Sequence, residues 1–258
     1  MYYTEAPLYL MLSNVSPTVS DGQIIASGDI KGQIQLWNLQ GKQLKPPFQA
    51  HQDEVNKVAF SPDGKMIVSA SGSADAKDNS IRLWDLQGNP IGKTFREHTN
   101  IITSVAFIPN GKMIASGSND NTVRLWNLKG EQLLKIDLPA PARSLAFSPD
   151  GKMIAVGVSG VSVDSGAIYL WDLKGKLIGS PFKHNGSVES VVFSPDGKQI
   201  ISGSKDKTVR FWIGNWQGWL DIACNRLRYH SALNDPETLA QDETARGARE
   251  TCQKYRIK

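Results

Sequence analysis

The sequence predicts an all-β fold in which one four-stranded unit is repeated five times, and two recurring segments carry that prediction. The first is an apolar strand that ends in tryptophan, at intervals of 41 to 47 residues: Trp37, Trp84, Trp126, Trp171 and Trp212. The second, Phe-x-Pro-(Asp/Asn)-Gly-Lys, lies between the tryptophans at residues 60–65, 107–112, 147–152 and 193–198. A period of roughly 20–50 residues is typical of a solenoid or a propeller.

The third unit shows how each element follows from its residues. Ser104–Phe107 is a short apolar run that fits a strand buried on both faces. In the turn that follows, proline presets φ, Asp or Asn bonds its own backbone and glycine accepts a positive φ. Three more strands are predicted at Met113–Gly117, Thr122–Trp126 and Gln132–Ile136, with polar turns between them. Four antiparallel strands, here called a to d in chain order, make one blade of a β-propeller.

These residues carry a family resemblance. The period, the Trp-Asp pairs Trp84-Asp85 and Trp171-Asp172, and the Ser-Pro-Asp-Gly turns resemble those of WD repeats over roughly residues 20 to 213. The resemblance implies a WD-repeat β-propeller with five recognisable blades. It also implies that the protein is a platform for protein–protein interaction.

A serine, histidine and aspartate recur with each of three tryptophans and invite a hydrolase interpretation. The resemblance implies instead a structural hydrogen-bond relay, in which Asp in the b–c turn holds His, His holds Ser on strand b, and Ser holds the indole. A nucleophile duplicated in three blades would also be an odd way to build one active site. The three sets are His51, Ser69, Asp78 and Trp84; His98, Ser116, Asp120 and Trp126; and His184, Ser202, Asp206 and Trp212.

Two blades depart from this pattern. Blade 1 keeps Ser27 and Trp37 but has no loop histidine, and Lys31 stands where the turn aspartate belongs. Blade 4 has Val156 in place of the serine and Pro141-Ala142 near the histidine position. We expect packing alone to hold these two blades.

The domain boundaries follow from where the repeat stops. We expect a β-propeller over residues 1–213 and a helical extension over 214–258. Five blades are fewer than the seven usual in the family, and blade 5 ends without a fourth strand. The first 20 or so residues are long enough to supply one. The chain is therefore either a closed five-blade ring or an incomplete seven-blade arc, whose exposed edges would be an aggregation hazard.

The extension begins with an amphipathic stretch. Trp216, Trp219, Leu220, Ala223 and Leu227 share one face of a helix predicted over 216–231, which we expect to dock on the propeller flank. The tail resembles the C-terminal ends of large cyanobacterial WD-repeat signalling proteins, in which an NTPase or a kinase precedes the propeller. The tail also holds both cysteines, Cys224 and Cys252, which we expect to remain thiols in a reducing cytoplasm.

Composition limits the partners. A net charge of +4 with a pI near 9.0 permits an acidic partner without requiring one. There is no basic block or aromatic-and-basic groove for nucleic acid and no apolar run that would span a membrane. No phosphate-binding loop, Cys-x2-Cys pair or His-Glu-x2-His motif occurs, so we expect no metal, no cofactor and no catalytic residue.

Partner binding is predicted from the loops. The b–c loops of blades 2 and 4 are longer than that of blade 3, and insertions on one face of a repeat array often mark its binding side; neutral loop drift is the alternative. The candidate residues there are Asp75, Lys77, Val161, Ser162 and Asp164. The turns of the opposite rim carry lysines, which either make that rim a basic surface for an acidic partner or simply keep the sheet edges soluble. These lysines are Lys42, Lys65, Lys112, Lys129, Lys152, Lys174, Lys176 and Lys198.

The function predicted from the sequence is a non-catalytic scaffold or sensor that binds a protein partner. Two alternatives stay open at this point. One is a propeller-type enzyme with a site in the central channel, which the nearly all-apolar innermost strands disfavour. The other is a truncated fragment of a larger NTPase– or kinase–WD-repeat signalling protein.

Overall fold

The structure is a computed structural model that describes residues 14–16, 23–73, 78–160 and 165–214. All regular structure in these ranges is β-strand. None of the described residues forms a helix that could cross a membrane.

The strands form five antiparallel sheets in chain order. The first contains β1 (Asn14–Ser16), β2 (Ile24–Gly28), β3 (Gln33–Asn38) and β4 (Phe48–Gln49). The second contains β5 (Val55–Phe60), β6 (Met66–Ser71), β7 (Ile81–Asp85) and β8 (Pro90–Phe95). The third contains β9 (Ile102–Phe107), β10 (Met113–Ser118), β11 (Thr122–Asn127) and β12 (Gln132–Asp137). The fourth contains β13 (Ala142–Phe147), β14 (Met153–Val158), β15 (Gly166–Asp172) and β16 (Phe182–His184). The fifth contains β17 (Val188–Phe193), β18 (Gln199–Ser204) and β19 (Val209–Ile213).

The turns between strands a and b form as their residues predict. The Ser61 hydroxyl donates to Asp63 Oδ1 at 2.6 Å and accepts the Met66 amide at 2.9 Å, which joins the two ends of the turn. Gly64 has a φ of 68°, a conformation that other residues adopt only with strain. The same side-chain bond joins Ser148 to Asp150 and Ser194 to Asp196.

The core lies between successive sheets. Strands β1 and β2 pack on β5, β5 and β6 on β9, and β9 and β10 on β13. The tryptophan at the end of strand c packs against the preceding sheet, as Trp84 does on Phe48 (ring centroids 5.2 Å apart) and Trp126 on Phe95 (5.5 Å). The first four sheets therefore depend on their neighbours for burial, as expected of a repeat protein.

The ends of the repeat differ from its interior. Strand β1 pairs with β2 and so completes the first sheet, and no closed ring is found among the described residues. The fifth sheet has three described strands, without a strand d. Its Val209 is 65% exposed and its Phe211 64%, whereas their counterparts in the third sheet, Val123 and Leu125, are 0% and 2% exposed.

The described residues divide between two compact units. One takes the residues up to Val192 together with Ser202–Arg210, and the other takes Phe193–Ile201 with the residues from Phe211 onward. The predicted helical extension, including its tryptophan face and both cysteines, falls on residues 215–258 and lies outside the described residues. Its structure therefore stays a prediction.

Candidate functional site

The relay of the third sheet joins side chains from three parts of the chain. His98, in the loop before β9, points its Nε2 at the hydroxyl of Ser116 on β10, 2.7 Å away. The same hydroxyl accepts the indole N–H of Trp126 at 2.8 Å. On the other side of the ring, His98 Nδ1 lies 2.7 Å from Asp120 Oδ2. The proton order that satisfies every group is a neutral imidazole, with Nδ1–H donating to the carboxylate and Nε2 accepting from serine.

The second and fifth sheets contain the same arrangement. His51 Nε2 lies 2.7 Å from Ser69 Oγ, which accepts the Trp84 indole N–H at 2.8 Å, and His51 Nδ1 lies 3.2 Å from Asp78. In the fifth sheet, His184 Nε2 lies 2.8 Å from Ser202 Oγ, and His184 Nδ1 lies 3.0 Å from Asp206 Oδ2. Trp212 lies on β19 of the same sheet.

Both oxygens of the relay carboxylate are used. Asp120 Oδ1 accepts from the backbone and hydroxyl of Thr122 at 3.0 and 2.6 Å, and Oδ2 accepts from His98 and from the Thr99 amide at 3.2 Å. Burial by itself raises the pKa of Asp120, but these hydrogen bonds outweigh it and hold the pKa well below its usual range. Burial also lowers the pKa of His98, against the opposing effect of Asp120. The imidazole is thus held neutral beside a charged carboxylate.

The first sheet keeps part of the relay, so our expectation that packing alone holds it is wrong. The Trp37 indole donates to Ser27 Oγ at 3.0 Å. Asp29 organises the b–c turn in place of the missing aspartate, because its Oδ1 accepts the amides of Lys31 at 2.9 Å and Gln33 at 2.8 Å. Trp37 is only half-buried, whereas Trp126 is 1% exposed.

The fourth sheet replaces the relay with an apolar cluster. The residue at the histidine position is Leu138 rather than Pro141-Ala142: its amide donates to the Asn121 carbonyl just as the His51 amide donates to the Gly32 carbonyl. Leu138 is buried and belongs to the same core cluster as Val156 and Trp171. The Trp171 ring stacks on Tyr169, with centroids 5.4 Å apart.

A cavity of about 240 Å³ lies beside this cluster. It opens on what we call the loop face, which is the face that carries the b–c loops and the d–a connections. Its lining includes Pro139, Ala140, Val158, Ala167 and Tyr169. The base of the long b–c loop of the fourth sheet forms one wall, through Gly160 and Ser165.

The five residues predicted to contact a partner lie outside the described residues. Asp75 and Lys77 belong to the b–c loop of the second sheet, and Val161, Ser162 and Asp164 to that of the fourth. The strands beside them show how much longer these loops are: residues 72–80 and 159–165 join the strands there, against 119–121 in the third sheet.

The opposite rim is less basic than its lysines suggest. All eight predicted lysines are exposed. Most of their turns also carry a carboxylate; Asp63, Asp150, Asp172 and Asp196 accept the backbone amides of lysines in their own turns. The alternating signs leave no continuous basic surface on these turns.

The innermost strands are more polar than we predicted from the sequence. Serine side chains on these strands join neighbouring sheets, and we did not predict these contacts. Ser104 Oγ accepts the Leu145 amide at 3.2 Å, and Ser144 Oγ accepts the Val191 amide at 3.1 Å, so each hydroxyl joins its strand to the next sheet. Burial lowers the pKa of Lys57, on the same strand position of the second sheet. The serines at this position of strand a were the feature of the sequence that could have predicted these contacts.

The relays do not form a reaction centre among the described residues. Both ring nitrogens of each described relay histidine are hydrogen bonded inside the fold, and each ring bonds a serine of a different sheet. Within the same ranges, no three His, Cys, Asp or Glu side chains converge as a metal site would require.

Comparison with known proteins shows what the repeat is similar to. The family described as "WD domain, G-beta repeat" matches residues 41–85, 89–127, 134–172 and 175–212. Its matches span the a–c strands of the second to fifth sheets.

Two curated proteins are similar over part of the chain. The CCR4-associated factor 4 homolog of Candida glabrata is 30% identical over 192 residues, 66% of this chain and 33% of that protein. Apoptotic protease-activating factor 1 of Rattus norvegicus is 39% identical over 61 residues, 20% of this chain and 5% of that protein. The chain therefore spans about a third or less of the length of these relatives.

Proposed function

The chain belongs to the WD-repeat family, and from that premise we propose that it is a non-catalytic scaffold that binds a protein partner on its loop face. Family members generally mediate protein–protein interaction. The observation that carries the choice of face is the length of the b–c loops of the second and fourth sheets, residues 72–80 and 159–165, compared with 119–121 in the third. Long loops on a rigid repeat scaffold are where binding residues concentrate.

The charge distribution favours a protein over nucleic acid. The exposed lysines of the opposite rim alternate with carboxylates in the same turns, as Lys152 does with Asp150 at 3.7 Å. A surface that binds the phosphate backbone needs clustered positive charge, since affinity comes from neutralising several phosphates at once. We therefore propose neither nucleic acid nor a membrane as a partner.

The hydrogen bonds of the relay serines and histidines favour a non-catalytic role. Each described relay serine is hydrogen bonded to a histidine that is itself bound to an aspartate, and these serines are buried. A catalytic nucleophile has to reach a substrate, whereas these hydroxyls lie inside the sheets.

The proposal extends to cellular context. We place the protein in the cytoplasm, because two cysteines in 258 residues do not form a disulfide scaffold. We also propose that it contributes the sensing or docking part of a signalling assembly, as in the cyanobacterial multi-domain proteins that its tail resembles. The names of the two similar proteins, an associated factor and a protease-activating factor, suit a regulatory role of this kind.

Shortening the two long loops tests the proposed face. In one variant a single asparagine replaces residues 72–77, which keeps Asp78 in the relay, and Asn-Asp-Asn replaces residues 159–166. Proteins cross-linked to the wild-type chain in its host cells are identified, purified and measured for affinity with both chains. We expect binding to fall at least tenfold in the variant.

The matched control changes the other rim. Lys65→Ser, Lys112→Ser and Lys152→Ser together remove exposed charges without touching the loop face. Equal binding by the loop-shortened variant, or a loss in the rim control alone, would reject the loop face. Failure of any protein to bind the wild-type chain would reject the scaffold itself.

A further inference from the structure

The cavity in the fourth sheet lies where the second, third and fifth sheets hold their relay carboxylate. Its floor follows one row of the sheet, in which Val158 of β14 pairs with Ala167 of β15, and Ala167 pairs with Lys183 of β16. In the third sheet the corresponding row begins at Ser118 of β10 and continues to Thr122 of β11, beside Asp120. The d–a connection borders the row in both sheets, because Pro139 and Ala140 line the cavity and His98 and Thr99 bond Asp120.

The groups that would hold an anion there are missing from the fourth sheet. In the third sheet, the Thr99 amide, the Thr122 hydroxyl and the His98 ring donate to Asp120. In the fourth sheet the corresponding residues are Pro139, Ala167 and Leu138, and none of their side chains, nor the proline nitrogen, has a hydrogen to donate. The part of the cavity beside Pro139 and Ala167 is therefore suited to an apolar group, and the polar lining comes from Ser159, Ser165, Lys183 and His184.

The size of the cavity limits what enters it. Pockets that enclose cofactors or drug-sized ligands run from roughly 300 to 1,000 Å³, and this cavity is about 240 Å³. Partly buried Tyr169 and buried Ala140 and Val158 line it. One side chain the size of leucine, methionine or phenylalanine fits such a space, which is how anchor residues fill pockets at protein interfaces.

Charge at the edge of the cavity indicates what flanks the anchor. Lys183 lines the cavity and is exposed. Among the ion pairs of the described residues, none includes Lys183, although lysines such as Lys135, Lys152 and Lys205 each pair with a carboxylate. An acidic residue beside the anchor would supply the missing opposite charge.

We propose that the cavity between Pro139, Val158, Ala167 and Tyr169 is a docking pocket for a single apolar side chain of a protein partner, with an Asp or Glu next to it that pairs with Lys183. This inference rests on the proposed scaffold function and names the chemistry of the segment that the loop face recognises. The pocket takes the space that the relay carboxylate occupies in the second, third and fifth sheets, so loss of the relay in the fourth sheet creates the site.

Selection from a library of random dodecapeptides, with the full chain immobilised, tests the pocket. We expect enriched sequences to share Leu, Ile, Met or Phe next to Asp or Glu. Ala167→Leu fills the pocket and should weaken the best synthetic peptide at least tenfold. Ala167→Ser, which barely changes the volume, should stay within twofold of wild type. Lys183→Glu should weaken it about threefold or more, and added salt should reduce the difference.

Failure of the pocket is distinguishable from failure of the scaffold. Enriched peptides that bind Ala167→Leu as well as wild type, or no enrichment at all, would overturn the pocket. The partner could then still depend on the long loops, which leaves the scaffold function standing. If Ala167→Leu does not fold, as judged by its urea midpoint, Ala140→Leu fills the pocket from another lining residue and has the same expected outcomes.

Discussion

Asp120 and His98 form the shortest carboxylate–imidazole contact of the three relays, with Oδ2 and Nδ1 2.7 Å apart, against 3.2 Å between Asp78 and His51. The contact orders the b–c turn as well as the ring, since the carboxylate also accepts bonds from its own turn. In the first sheet, Asp29 orders the turn without a histidine and uses only Oδ1 in the bonds to Lys31 and Gln33. The two aspartates therefore allow a matched comparison.

Asparagine at the two positions should have unequal effects. Asp120→Asn leaves one oxygen where two accept bonds, so at least one buried donor loses its partner, at a cost of about 1–3 kcal/mol. Asp29→Asn keeps the single accepting oxygen and should cost under about 0.5 kcal/mol. Urea unfolding of both variants measures the difference. Similar losses would mean that the relay carboxylate contributes no more than a turn residue.

Acidification should destabilise the fold through two of the relay histidines. Burial lowers the pKa of His51 and His98 in the folded chain, although Asp78 and Asp120 oppose it. A lowered folded-state pKa means that the stability is present above the unfolded value, near 6.5, and is lost as pH falls from there toward the folded value. Between pH 7.5 and 5.5 each ring can contribute a loss of up to about 1.4 kcal/mol.

Urea midpoints at the two pH values measure this loss, and the double variant His51→Gln, His98→Gln is the control. Glutamine does not titrate, so the variant should begin less stable and lose less on acidification. Equal pH dependence in the variant and the wild type would show that these imidazoles remain free to take up protons in the folded chain.

Truncation of the repeated tryptophans should rank them by burial. Trp126→Ala removes a ring that is 1% exposed and leaves Ser116 without a donor, and we expect a loss of ~3–5 kcal/mol. Trp37→Ala removes a half-buried ring and should cost less, since water can replace part of its contacts. Free energies of unfolding from urea melts compare the two. Equal losses would contradict the ranking.

The sequence predicted the elements whose chemistry is local. The four strands of the third unit begin and end within two residues of the prediction, because turn residues and strand patterns set both ends. The relay residues were identifiable for a different reason: their spacing repeats three times. In each relay the histidine precedes the phenylalanine that ends strand a by nine residues. The WD-repeat family match agrees with the repeat as read from these segments.

The same spacing places Leu138 nine residues before Phe147, so the error over Pro141-Ala142 was avoidable. The role of Asp29 was harder to predict, because an aspartate two residues early in a turn looks like an ordinary turn residue. The cavity beside Ala167 could not be predicted at all. The cavity depends on the space left between three strands and a d–a connection, and a sequence pattern does not predict the volume of such a space.

Alanine substitutions at two glycines of strand b test whether another segment or a second copy covers the fifth sheet in solution. A Cβ at Gly157 would lie 2.7 Å from Val188 Cγ1, so Gly157→Ala should cost about 1–3 kcal/mol. A Cβ at the corresponding Gly203 would meet no atom within 4 Å among those described, so Gly203→Ala should stay within about 0.5 kcal/mol of wild type in urea melts. A loss at Gly203 as large as at Gly157 would show that another segment or a second copy packs there.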